Sequence, residues 1–327
     1  VKLLVTGGAG FIGSCYVRTL LDGGYAGYGD AHVTVLDKLT YAGDRTNLPA
    51  RHERLTFVEG DVCDQELLRD LLPGHDAVLH FAAESHVDRS IADPSVFVRT
   101  NVVGTQNLLE ACLRTGVERV VHVSTDEVYG SIPSGSWTEE WPLAPNSPYA
   151  ASKASSDLMA RAYARTHGLD VSVTRCSNNY GPYQHVEKLI PLFVSRLLAG
   201  ESVPLYGDGS NVREWLHVSD HCEALQLVLT KGRGGEVYNV GSGGELSNRQ
   251  MTELLLDLCG ATWESVRRVT DRKGHDLRYS LDDSKIREEL GYAPAVDFAK
   301  GLADTVAWYR AHPERWSAAA VERGATA

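Results

Sequence analysis

The sequence lacks any apolar stretch long enough to cross a bilayer. It begins on a strand-like run, Val1 to Thr6, so no signal peptide is expected. It has no CxxC pair. Its six cysteines, Cys15, Cys63, Cys112, Cys176, Cys222 and Cys259, are scattered without metal-ligand spacing. They are expected to be free, buried thiols in a reducing cytosol, with no metal site. Internal repeats and low-complexity tracts are also missing. Positive charge is scarce: 32 Lys and Arg stand against 43 Asp and Glu, a formal net charge of −11. Such a surface repels nucleic acid and anionic lipid, so neither is expected as a partner. An anionic ligand would need a local basic cluster opposed to the overall field.

What is present is a chain of 327 residues, 43% of them hydrophobic, enough for two domains with sizeable cores. The first half alternates strand and helix. Leu3–Thr6, Val33–Asp37, Leu55–Val58, Ala77–Phe81 and Val120–Ser124 read as strands. Phe11–Leu21, Gln65–Leu72 and Val96–Arg114 read as helices. Continuous apolar strands suit a parallel sheet covered on both faces, and repeated βαβ units predict a doubly wound α/β domain of the Rossmann type. Gly23–Gly29 is too glycine-rich to extend the first helix and reads as a surface excursion. Tyr149–His167 predicts a long helix and Val171–Thr174 another strand. After Cys176 the alternation fades, and Pro182, Pro191 and Pro204 punctuate the chain. The expected division is a dinucleotide-binding domain over 1–176, a smaller α/β substrate domain over 177–316 with strands returning to the first, and a frayed tail over 317–327.

Gly7, Gly10 and Gly13 form GxxGxxG between the first strand and the first helix. Glycines there permit a tight turn and close approach to a pyrophosphate, which the helix N-terminus then meets with amide donors. Asp37 ends the second strand. A carboxylate at that place accepts the adenosine ribose hydroxyls and repels a 2′-phosphate, which favours NAD over NADP, although Lys38 beside it tempers that repulsion. Asp61 and Val62 follow the third strand, where an adenine edge would lie. Phe81, Ala82 and Ala83 end the fourth at the cofactor groove.

Tyr149 and Lys153, four apart, share a helix face. An ammonium beside a phenol lowers its pKa, which would let Tyr149 take an alcohol proton while a hydride leaves for NAD. Thr125 can hydrogen-bond the reacting hydroxyl. Asp126 and Glu127 then place two carboxyls at the mouth of the fifth strand. Mutual repulsion and burial should raise both, so that one serves as acid and the other as base. His80, His122 and His217 lie in apolar runs and are expected to be core histidines rather than ligands.

With these motifs goes the run Asn178-Asn179-Tyr180-Gly181-Pro182, and together they resemble the extended short-chain dehydrogenase/reductase family of nucleotide-sugar enzymes. Within it, Thr125-Asp126-Glu127-Val128-Tyr129-Gly130 is similar to the dTDP-glucose 4,6-dehydratases rather than to 4-epimerases. So are Asp37–Gly43, Glu84–Ser90, Lys188–Pro191, Tyr206–Gly209 and Asn211–Trp215. One departure is His185-Val186, where the family commonly has Phe-Pro. The resemblance implies oxidation of a hexose at C4, elimination of water across C5 and C6, and return of the hydride to C6. Asp126 would be the acid and Glu127 the base. The cofactor set it implies adds Phe11, Ile12, Thr40, Thr100 and Asn178, besides Tyr149 and Lys153. Lys188, Arg213 and Arg272 would meet the substrate diphosphate. Ser85, His86, Thr125, Asn178, Glu187, Asn248, His275 and Tyr279 would add polar contacts, and Leu189, Pro204 and Tyr206 would line the nucleoside pocket. A cytoplasmic homodimer, paired through the helices near 96–114 and 149–167, is also implied. The alternatives are a 4-epimerase of the same family, which Asp126 argues against, a decarboxylase of the same family, and a non-catalytic NAD-binding regulator, which would carry a degraded site.

Overall fold

The computed structural model describes residues 1–316; the tail expected to fray lies outside them. Seven strands form one sheet, and each neighbouring pair is parallel. In chain order they are β1 (Lys2–Thr6), β2 (His32–Asp37), β3 (Leu55–Glu59), β4 (Ala77–His80), β5 (Arg119–Thr125), β6 (Val171–Cys176) and, much later, β10 (Val237–Val240). Their spatial order is β10-β6-β5-β4-β1-β2-β3. The direction of winding reverses between β1 and β4, and the crevice outside the strand C-termini at that point is where doubly wound sheets hold ligands.

The central strands are buried on both sides because helices cover both faces. One face carries α1 (Phe11–Leu21) and α8 (Val218–Lys231), with Tyr16, Leu20, Leu225 and Val228 fully buried between them and the sheet. The other carries α2 (Gln65–Leu71), α5 (Thr105–Thr115) and α6 (Pro148–His167), packed through Leu68, Leu108, Cys112 and Ala160. Helix α6 starts at a Ser147 cap with Pro148 in its first turn and stops at Gly168 in a left-handed conformation.

Residues 96–114 depart from the single helix expected there. After the short α3 (Val87–Ala92) and α4 (Pro94–Phe97), the chain makes π-helical turns over Val98–Gly104 before α5 begins. The wider turns carry Asn101, whose buried amide bonds both the N–H and the C=O of Glu84 and the hydroxyl of Ser152. Such turns recur at functional sites.

Beyond Cys176 the chain leaves the large sheet. β7 (Asn178–Tyr180), β9 (Val212–His217) and β11 (Glu245–Ser247) form a small mixed sheet; β8 (Val203–Tyr206) pairs in parallel with β12 (Val266–Val269). α7 (Leu189–Leu198), α9 (Asn248–Cys259) and α11 (Phe298–Ala311) bury a core of their own around Phe193, Leu255 and Val306. α8 and β10 return to the large sheet, and α10 (Ser284–Leu290) packs on them through Ile286. One deep cleft runs from the glycine turn to the foot of α7.

Candidate active site

The glycine turn forms the inner end of the cleft. Gly7 has φ +69°, and a Cβ there would stand 2.6 Å from the amide nitrogen of Ala82. A Cβ on Gly13 would stand 2.5 Å from the Gly7 carbonyl oxygen. α1 therefore starts tight against the strand ends. Its first turn carries neither a side-chain cap nor an acidic residue, which leaves its amides to an anion. The Asp37 carboxylate accepts hydrogen bonds from the amides of Ala9 and Leu39, both at 2.9 Å. Burial raises its pKa and those two amides oppose the rise. Lys38 is turned away to Asp61, at 2.8 Å. Every residue expected to hold the dinucleotide lines this cleft, from Gly7 through Thr100 to Asn178. The glycine cradle, the uncapped helix and the buried, partnerless Oδ1 of Asn178 fit that cofactor.

β5 and α6 bring the reactive groups to the middle of the same cleft. Tyr149 and Lys153 lie on the buried face of α6. The Lys153 ammonium donates to the Val123 carbonyl at 2.8 Å, and burial lowers its pKa to about 8. The Tyr149 phenol does not follow the expected lowering. Burial first, then the Glu127 carboxylate, push it well above its ordinary value, and only the neighbouring Thr125 hydroxyl pulls it down. Thr125 accepts a hydrogen bond from the amide of Glu127 and donates one to Asp126 Oδ1, each at 3.2 Å.

The two carboxyls are raised, as expected, and they are raised unequally. Asp126 is 2% exposed, and burial, Glu127 and Glu214 push it well above the carboxylate range. Burial also raises Glu127, but Lys188 and Arg213 lead a group of cations that opposes the rise. Asp126 is thereby the group that holds a proton to give, and Glu127 the one left ionised to accept.

The outer end of the cleft meets the smaller lobe. Lys188 donates to the Ser85 carbonyl at 2.6 Å. His86, Glu187, Leu189, Pro204, Tyr206, Arg213, Asn248, Arg272, His275 and Tyr279 stand outside the lining of the dinucleotide cleft. Several of them still form one connected cluster at its rim. Arg213 donates to the Asp276 carbonyl at 2.9 Å and lies over the Tyr279 ring, whose hydroxyl bonds the Asp276 carboxylate. Arg272 pairs with Asp88 at 2.7 Å and lies over Tyr206, against which His275 packs edge-on. Lys188, Arg213 and Arg272 all act on Glu127, so this is the local basic cluster that an anionic ligand requires. Glu187 is drawn into a pair with Arg89 at 2.6 Å and stands 3.6 Å from His86.

Sequence reasoning missed Tyr41, Glu84, Ser124, Asn179, Gln184 and His185, which also line the cleft. Tyr41 and Glu84 sat inside quoted motifs without a role. Gln184 and His185 had no periodic signal; His185 packs edge-on against Tyr41, with ring centroids 5.6 Å apart. His80 is a core histidine held between Thr6 and Thr105, and His122 is fully buried beside Asp157. His217 differs: it is half-buried and caps α8 by accepting from the Ser219 amide. All six cysteines are free, but Cys15, Cys63 and Cys259 are only half-buried. Among the described residues no side-chain group is arranged to hold a metal, and no helix is long and apolar enough to cross a membrane.

Known proteins with this arrangement are numerous. The sequence matches the family described as GDP-mannose 4,6 dehydratase over residues 4–305. It is 60% identical to a dTDP-glucose 4,6-dehydratase of Streptomyces niveus, over 97% of this chain and 95% of that one. The solved structure of DesIV, a dTDP-glucose 4,6-dehydratase from Streptomyces venezuelae with NAD and dTDP bound, superposes with a TM-score of 0.96. The two are 65% identical, over 97% of this chain and 99% of that one. A UDP-glucose 4-epimerase of Thermus thermophilus with NAD is more distant, at 35% identity and a TM-score of 0.86 over 95% and 99% of the two chains. The chain belongs to the GDP-mannose 4,6-dehydratase family and, within it, to the dTDP-glucose 4,6-dehydratases.

Proposed function

We propose that this protein converts dTDP-glucose to dTDP-4-keto-6-deoxyglucose and water, with NAD regenerated in every turnover. The observation that carries the reading is the unequal pair Asp126 and Glu127 beside Tyr149 in one cleft. When bound, NAD accepts the hydride from C4 and returns it to C6. Tyr149 takes the proton of the 4-hydroxyl, with Thr125 sharing it; the Lys153 ammonium and the positive charge that bound NAD would bring are what offset the rise caused by burial and Glu127. The 4-ketone acidifies the proton on C5, and Glu127 removes that proton. Asp126 protonates the 6-hydroxyl as the C6–O bond breaks, so water leaves. Glu127 then returns its proton to C5, and the proton held by Tyr149 passes by way of the Thr125 hydroxyl, which donates to Asp126, to restore the acid. Lys188, Arg213 and Arg272 hold the diphosphate, and the hydrogen bond from Lys188 to the Ser85 carbonyl ties that cluster to the cleft.

A homodimer through α4–α6 is part of this reading. Val96, Val98, Val103 and Leu158 lie on those segments and are each more than 40% exposed, an apolar surface that a second copy would cover. Six unpaired cysteines favour the reducing cytoplasm. The test is incubation of the purified protein with dTDP-glucose and NAD. A 4-keto-6-deoxy product, detected by its alkaline absorbance, is expected. Recovery of unchanged or 4-epimerised sugar would overturn the assignment.

A further inference from the structure

Below Lys153, on the same face of α6 and one turn further on, lies Asp157, with no exposed surface. A carboxylate so buried is costly unless it is paired. Asp157 Oδ2 accepts from Nε of Arg175, itself fully buried on β6, at 2.9 Å. Arg175 also donates to the Tyr129 hydroxyl at 2.8 Å, and that hydroxyl donates to Asn239 at 2.8 Å. Asp157 Oδ1 has no hydrogen bond of normal geometry; His122 Nε2 stands 3.4 Å from it. One carboxylate oxygen is therefore held by an arginine and the other is left to act on its surroundings.

Those surroundings are the underside of the reactive centre. His80 on β4 and His122 on β5 are both pushed below their ordinary values, by burial first and then by neighbouring charge, Lys153 included, so they add no cation there. Cys176 on β6 is pushed up by burial and stays a thiol. Tyr149 lies one turn above Lys153, and Arg175 faces Asp157 from β6. Lys153 donates one hydrogen bond to the Val123 carbonyl on β5. Burial works against its charge, and Asp157 is the foremost group that sustains it. Asp157 itself stays ionised: burial opposes its charge, but the long polar contact from the uncharged His122 imidazole and the charge of Arg175 together outweigh that and hold it below the ordinary carboxylate range.

We propose that Asp157 is a positioning residue for the reaction, an ionised carboxylate fixed by Arg175 one helical turn below Lys153 that keeps the Lys153 ammonium charged one turn from Tyr149. It touches neither sugar nor cofactor and acts through Lys153. The inference rests on the proposed reaction, because it assumes that Tyr149 needs a cation beside it.

The test is the pH profile of single-turnover C4 oxidation, read as the appearance of reduced nicotinamide in the intact enzyme supplied with NAD and dTDP-glucose. Asp157→Asn leaves Arg175 unpaired and can fail to fold, so Asp157→Asn with Arg175→Met, which removes both charges together, is measured alongside. Melting temperature and circular dichroism establish folding. In a folded variant the alkaline limb of the profile should move down by about one pH unit or more, about a fivefold loss at the midpoint of the parent's limb that approaches about tenfold above it. KM for dTDP-glucose should hold within a factor of about two, and Asp157→Glu should keep the limb near the parent's position. A limb that stays in place while the rate falls uniformly would overturn the proposal. So would failure of both charge-removing variants to fold, which would make the network structural. If the parent enzyme itself yields no reduced nicotinamide, the reaction assignment fails instead, and the two failures are thus distinguishable.

Discussion

Lys38 and Asp61 close a salt bridge of 2.8 Å along the wall of the cleft. The pair holds Asp61 below the ordinary carboxylate range, although burial pushes it upward. It also removes the one cation that stood next to Asp37 in sequence. Asp37 is left facing the cleft with an unopposed negative charge, its oxygens already steered by the amides of Ala9 and Leu39. A 2′-phosphate would meet that charge directly.

Preference for NAD over NADP should therefore depend on Asp37. Asp37→Ser is expected to weaken NAD binding by about ten- to a hundredfold, the loss of one to two charge-assisted hydrogen bonds. NADP binding should improve in the same variant. Titration of the cofactor-stripped protein with each dinucleotide checks this, and an unchanged ratio of affinities would remove Asp37 from the discrimination.

Asp126 and Glu127 should be separable by chemistry. Asp126→Asn keeps the shape of the acid but carries no transferable proton. C4 oxidation should survive in this variant, and elimination should slow by about 10²–10⁴-fold. Reduced nicotinamide would then accumulate after mixing with dTDP-glucose. Near-normal release of water would sink the acid assignment. Tyr149→Phe should give the opposite pattern, with little reduced nicotinamide formed at any time.

The sequence carried the site best where one local rule sufficed. Gly7, Gly10 and Gly13 needed only a strand, a turn and a helix, and Tyr149 and Lys153 needed only helical spacing. Strands β1, β4 and β5 were legible as apolar runs buried along nearly their whole length, whereas β3, at the sheet edge, exposes Thr56 and Glu59 and was legible from Leu55, Phe57 and Val58. Other features depend on contacts that no local pattern records. The π-helical turns at Val98–Gly104 exist because Asn101 reaches back to Glu84 and across to Ser152, far off in sequence. The raised phenol of Tyr149 could not be read from its spacing to Lys153, since burial and Glu127, a β5-end residue, decide it. Arg272 reads as a surface charge until Asp88 and Tyr206 are seen beside it.

Two glycines with similar backbones should respond differently to alanine. Gly23 has φ +76° and open space around it, while Gly7, at φ +69°, would drive a Cβ to 2.6 Å from a backbone nitrogen. Gly23→Ala should cost only the left-handed strain, about 1 kcal/mol. Gly7→Ala must also separate β1 from the Ala82 segment. It should lose bound NAD and lower the melting temperature by much more than Gly23→Ala does. Equal effects in the two variants would show that the close approach at Gly7 is dispensable.

Acid should destabilise the fold through its buried imidazoles. His221 on α8 has no exposed surface, faces the Asn179 side-chain oxygen at 2.9 Å, and is lowered by burial to about 3. An unfolded histidine titrates near ~6.5. Between those two values the unfolded chain binds a proton that the folded chain refuses, so stability falls as pH falls. The contribution is fully present above about 6.5 and declines below it by ~1.4 kcal/mol per pH unit, levelling off near pH 3. His80 and His122, lowered in the same direction, add to the slope. Denaturant unfolding measured from pH 7 down to about pH 5 should show this decline. His221→Gln, which keeps an amide donor toward Asn179 but cannot titrate, should reduce the slope by about one proton. If the slope in that variant matched the parent's, His221 would have to be protonated in the folded protein, against the burial that surrounds it.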